Sequence, residues 1–161
     1  MKKHSKLYTL HPGDVVCSER DTRMETLLGS CVSIVLTDPR RTVGVMSHIV
    51  HTRYSTSAKP VSGAYGDVAF DMMFNLLMKR GIDPLQCHAY VYGGGNMFPH
   101  QLTDFPIGER NACWALDQLA HEGIHVVYHD VGGAAYRRLS WTVGPDVPHV
   151  VAVPIAVSTF A

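Results

Sequence analysis

The sequence predicts an α/β (α+β) layered single domain over residues 1–161, built from a β-sheet with an early hairpin and at least two packed helices. Three observations carry this. Short runs rich in Val, Ile and Tyr lie between Gly, Pro or Asp borders, as strands do. Two longer stretches space their apolar residues at helical intervals. Each of those stretches leads directly into another strand-like run, giving two helix-to-strand units.

The strand-like runs are Asp14–Cys17, Ser30–Leu36, Val43–Val50, Ala89–Tyr92, His125–His129, Arg138–Val143 and His149–Val157. The first helix is expected in "GDVAFDMMFNLLMKRG", with Asp67 as N-cap, Val68, Met72 and Leu76 along one course, and Gly81 as its end. Its methionines Met72, Met73 and Met78 read as core and near-core packing. The second helix is expected in "ERNACWALDQLAHEG". There Ala112, Ala115, Leu116, Leu119 and Ala120 form the apolar stripe, and Gly123 stops it. The pattern leaves the order of the later strands open.

Composition narrows the function classes. Fourteen basic side chains balance fourteen acidic ones, so there is no basic excess to meet a nucleic acid. The N-terminus "MKKHSKLYTLHPGDVV" lacks the apolar core of a signal peptide. No apolar run approaches the ~20 residues that span a bilayer. A cytoplasmic protein without membrane insertion is therefore expected. The four cysteines, Cys17, Cys31, Cys87 and Cys113, are widely spaced and read as reduced thiols.

One cysteine stands apart. In "LLGSCVSIVL" Cys31 sits between a small-residue turn and a β-branched run. "CVSIVLTDPRRTVGVMSHIV" reads as a hairpin turning at Asp38-Pro39. A turn centred between Pro39 and Arg40 would set Cys31 directly opposite His48, within side-chain reach on one face. An imidazole there would help ionise the thiol, and the Gly29-Ser30 turn offers N–H groups to an oxyanion. A packed cysteine beside an unrelated histidine accounts for the same pattern.

A set of motifs in order adds to this: "TLLGSCVSIVLTDP", "GVMSHIV", "YGDVAFDMMFNLLMKRGID", "YVYGGGNMF", "IGERN" and "DVGGAAYRRL". Together they resemble the chemoreceptor glutamine deamidase family, CheD, over about residues 26 to 139. The resemblance implies a cysteine-dependent protein-glutamine glutaminase that converts selected glutamines of methyl-accepting chemotaxis receptors to glutamates. It places the nucleophile on Cys31, its histidine on His48 and the third catalytic residue on Thr26, with Gly29 and Ser30 against the substrate. It implies a thioester intermediate and no metal or organic cofactor. It also implies a possible partner, a CheY-phosphate phosphatase of the CheC family. An adaptor that only binds receptors or that phosphatase, and a thiol hydrolase of another amide or ester, are the other classes left open.

The remaining motifs read structurally. The glycines of "YGGGNMF" suit a strand-exit turn with positive φ, bordering the site by their place in the family pattern. Asn111 is expected at the start of the second helix, as a cap or a buried hydrogen bond. Asp130 is expected to hold a glycine turn. His48 and His51 form H-x-x-H, which on a strand points to opposite faces and makes no metal site.

Overall fold

The computed structural model describes residues 6–53, 62–101 and 104–155, and the fold is α+β as expected. One sheet holds β2 (Val15–Glu19), β4 (Val32–Thr37), β5 (Val43–Ser47), β6 (His88–Gly93) and β7 (His125–Val131), in the order β2-β5-β4-β6-β7. A second holds β1 (Leu7–Leu10), β3 (Arg23–Leu28), β8 (Ala135–Thr142) and β9 (His149–Pro154), in the order β1-β3-β8-β9. Helices α1 (Gly66–Lys79) and α2 (Ile107–His121) pack on the five-stranded sheet. None is long and apolar enough to cross a membrane.

The layering explains why β4, "VSIVLT", lacks polar alternation and is buried at every position. One face, Val32, Ile34 and Leu36, meets Ala69, Met73, Leu77, Ala115 and Leu119 of the helices. The other, with Val35, meets Met24, Leu28, Leu139 and Trp141 of the second sheet. A strand covered on both sides excludes water from both faces and so favours apolar residues on both; the small hydroxyl residues Ser33 and Thr37 are buried among them.

Several expectations need correction. The strands β1 and β3 escaped the sequence reading. In β3 the charged Arg23 and Glu25 alternate with inward Met24, Thr26 and Leu28, and the charges hide the strand. The run expected to begin at Ser30 pairs only from Val32, which leaves Ser30 and Cys31 in the turn before it. The last strand ends at Pro154; residues 156 and 157 of the expected run lie outside the described residues. Helix α1 takes Tyr65 as N-cap, and Asp67 sits inside its first turn. Its buried stripe is Ala69, Phe70, Met73 and Leu77, so Met72 and Met78 are exposed. The positive φ of Gly81 and Gly123 follows the two helix ends, as the breakers predicted.

The hairpin is real, but its register is not the one expected. Val35 pairs with Met46 and Thr37 with Gly44, two residues away from the register that would oppose Cys31 to His48. The cause is a longer turn. Asp38 accepts from the Thr42 N–H (2.8 Å), the Val43 N–H (2.9 Å) and the Thr42 hydroxyl (2.7 Å). Arg41 takes φ 57°, a left-handed conformation that this carboxylate cage holds.

Candidate active site

The two-residue shift is even, so it keeps each side chain on its face. Past the end of β5, Val32 and Ile49 exchange both backbone hydrogen bonds (3.0 and 2.8 Å). Their side chains point to the helices. Cys31 and His48, one residue before each, therefore share the opposite face, between the two sheets. They are diagonal neighbours rather than a directly opposed pair. Cys31 packs against the inter-sheet core with Val35 and Met46. His48 is 4% exposed, and its ring reaches across to the second sheet.

What it reaches is Thr26. Threonine Oγ1 lies 2.7 Å from His48 Nδ1 and 2.8 Å from the Leu10 carbonyl. A hydroxyl has one hydrogen, and a carbonyl can only accept. The Thr26 hydrogen goes to Leu10, so Thr26 must accept from Nδ1–H. This fixes the tautomer: neutral His48 carries its proton on Nδ1 and leaves the Nε2 lone pair free. The backbone is held as well, since His48 N–H donates to Asp14 C=O (3.1 Å) and His48 C=O accepts from Gly13 N–H (2.9 Å).

The electrostatics favour a neutral pair. Burial lowers the His48 pKa, against the opposing pull of the nearby Leu10 carbonyl and the Asp14 charge. Burial alone raises the Cys31 thiol. The other cysteines differ in setting. All four are free; Cys87 and Cys17 pack against the helix-side core, where burial pushes Cys87 up to about 12, and Cys113 is exposed on α2. Cys31 alone stands between the sheets at a chain turn.

That turn is anchored from behind by three hydrogen bonds. Gly95 N–H donates to Gly29 C=O (2.9 Å) and Gly94 N–H to Cys31 C=O (2.8 Å). Asn111 donates from Nδ2 to Ser30 C=O (3.0 Å). The glycine turn thus lies against the Cys31 segment, with φ 109° at Gly93 and 64° at Gly94. Asn111 lies five residues into α2 rather than at its start, and makes the buried hydrogen bond rather than a cap. Asp130 supports the turn indirectly. It pairs with the buried Arg137 (3.1 Å), which donates to Gly132 C=O (2.7 Å) and Gly93 C=O (3.2 Å). His51 is exposed and stacks on Tyr65 at 5.5 Å, away from His48. No three metal-ligating side chains converge among the described residues.

A hollow of about 200 Å³ opens beside Ser30, lined by Met97, Phe98, Phe105, Ile107 and Arg110 among others. Phe98 (65%) and Ile107 (60%) stand exposed on its rim. A roomier depression of about 430 Å³ lies over the second sheet, on Arg23, Glu25, Leu27 and Arg138; it reaches Thr26 but neither Cys31 nor His48.

Cys31, His48 and the hydrogen-bonded Thr26 thus lie on the face between the two sheets of an α+β fold. The chain belongs to the CheD family. The family model described as CheD chemotactic sensory transduction matches residues 51–144. Relatives include a "Probable chemoreceptor glutamine deamidase CheD 2" of Albidiferax ferrireducens, 37% identical over 83% of this chain and 80% of its own length. A "CheD 3" of the same description from Dechloromonas aromatica is 35% identical over 83% and 80%. One from Pseudomonas syringae pv. tomato is 31% identical over 81% and 79%. The family-model match contains the glycine turn and Asn111 and begins beyond His48.

Proposed function

We propose that this protein deamidates glutamine side chains of methyl-accepting chemotaxis receptors, with Cys31 as nucleophile, His48 as base and acid, and Thr26 orienting the imidazole. The carrying observation is the Thr26–His48 bond, which leaves Nε2 unprotonated on a ring that lies on the same sheet face as Cys31. The names of the relatives supply the substrate class.

The chemistry follows from the neutral pair. As the sulfur attacks the glutamine carboxamide carbon, Nε2 takes the thiol proton, so no resting thiolate is needed. The amides of Ser30 and Cys31 receive the developing oxyanion. The imidazolium then protonates the departing nitrogen, releasing ammonia and leaving a thioester. His48 next deprotonates water, which attacks the thioester and releases glutamate and the thiol. The apolar rim of Phe98 and Ile107 beside Ser30 suits a protein substrate better than free glutamine. The same rim supports the alternative of an adaptor, in which receptor or CheC-type phosphatase binding is the whole function.

The test is incubation with receptor cytoplasmic fragments, following ammonia release and the mass change of amide to acid. Turnover by wild type and none by Cys31→Ala is the expected result. Turnover that survives Cys31→Ala would remove the nucleophile, and binding without turnover by wild type would establish the adaptor.

A further inference from the structure

Asn111 uses its carboxamide in a way the mechanism above does not require. It is 2% exposed on α2, and Nδ2 spends one hydrogen on Ser30 C=O and the other on Val50 C=O, both at 3.0 Å. Ser30 immediately precedes the cysteine, and Val50 follows His48 by two residues. A single side chain from a helix thus ties together the two segments that carry the pair.

The fold goes to some length to bring Asn111 there. The first turn of α2 presses on the glycine turn. A Cβ on Gly94 would lie 2.6 Å from Gly108 C=O, and one on Gly108 would lie 2.2 Å from Gly95 C=O. Glycine at both places lets helix and turn approach closely enough for the side chain to reach the turn holding Cys31. The motifs "GGGN" and "IGERN" are therefore two halves of one junction.

A peptide unit is rigid and planar, and in its trans form the C=O and the following N–H point in opposite directions. No described peptide bond is cis. Whatever fixes Ser30 C=O therefore fixes Cys31 N–H. Resting on the deamidase reading above, we infer that Asn111 is a positioning residue for the Cys31 amide: it holds the Ser30–Cys31 peptide plane from behind so that the N–H stays aimed at the oxyanion. Gly95 N–H does the same for the Ser30 amide through Gly29 C=O. The clamp bears on the acyl chemistry of the site rather than on the reactivity of the thiol.

Two assays separate these. Glutamine turnover develops an oxyanion. Alkylation by iodoacetamide does not, because the sulfur displaces iodide at a saturated carbon. In Asn111→Ala, kcat on receptor fragments should fall about 100-fold, as for loss of an oxyanion donor, with KM little changed. The alkylation rate of Cys31 and its pH dependence should stay within about threefold of wild type. Asn111→Leu, of similar shape and with no donor, carries the same test where the alanine variant fails to fold. A folded variant with wild-type kcat would overturn the inference. So would an alkylation rate that falls in step with kcat, since that would show Cys31 and His48 themselves displaced. A wild type that releases no ammonia, or a Cys31→Ala variant that does, overturns instead the deamidase reading beneath it.

Discussion

Replacing Thr26 by valine removes one hydroxyl and nearly nothing else, since the two side chains differ only by methyl for OH. The hydroxyl makes two bonds at once, donating to Leu10 C=O and accepting from His48 Nδ1–H. In Thr26→Val both partners lose their mate in a buried setting, and each orphaned group costs about 1–3 kcal/mol. Native stability should therefore drop by roughly 2–6 kcal/mol, read by urea denaturation. The effect on rate has two parts. Without the acceptor at Nδ1, the form carrying its proton on Nε2 competes, and that form cannot accept from the thiol; an even mixture alone lowers kcat about twofold. Losing about 1–3 kcal/mol of the hydrogen bond that stabilises the imidazolium as it forms lowers kcat by about 5- to 150-fold. Thr26→Ser keeps both hydrogen bonds and should keep most of the rate. Nitrogen NMR of His48 should show the proton on Nδ1 in wild type and a mixture of tautomers in Thr26→Val. A folded Thr26→Val protein with kcat within twofold of wild type, in an assay of ammonia release, would refute the orienting role.

The pH profile tests the neutral pair. Burial lowers the His48 pKa below its ordinary 6.5, so the unprotonated base persists into mildly acidic solution and the acid limb of kcat/KM should fall below that value. Burial raises the Cys31 thiol above its ordinary 9.0, so alkylation should titrate with a midpoint above 9.0. A midpoint near or below about 7 would instead reveal a resting thiolate–imidazolium pair. At the helix junction, Gly94→Ala sets a Cβ 2.6 Å from Gly108 C=O at a φ of 64°. Left-handed strain of about 1–2 kcal/mol and overpacking of about 1–3 kcal/mol should add, lowering Tm and kcat together. An unchanged melt would show that the helix gives way freely there.

What the sequence disclosed follows physical lines. Helices α1 and α2 were legible because glycine breakers and apolar spacing are local signals, although the N-caps, Tyr65 and Pro106, use no side chain and so shifted both starts. Strand β3 was not legible, because the charged Arg23 and Glu25 alternate with its inward residues, which declare themselves only once β8 lies alongside. The hairpin register went astray for a similar reason. Asp38-Pro39 announces a turn, but its length depends on three hydrogen bonds to one carboxylate and on Arg41 accepting a left-handed φ. Thr26 was reachable only through the family resemblance, since its partner lies on another sheet. Asn111 reads from the sequence as a cap or buried hydrogen bond at the start of the second helix, but its two acceptors are backbone carbonyls and leave no trace in the sequence.

The two-residue difference in register is itself informative about the architecture. Shifting β5 by two residues moves His48 along the sheet without turning it over. A shift by one would have driven its imidazole into the helix-side core, among Val45, Ile49 and Met73. The face is thus set by which residues must meet the helices, a constraint imposed by many apolar side chains together. The exact pairing is set by one turn. Fine placement is then supplied from outside the hairpin altogether: Thr26 on the second sheet orients the ring, and Asn111 with the glycine turn holds the cysteine segment. An arrangement divided in this way tolerates change in the turn near Asp38 more readily than change at Thr26, Gly94 or Asn111, because the turn adjusts where the strands begin while those three fix how the Cys31 segment and the His48 ring are held.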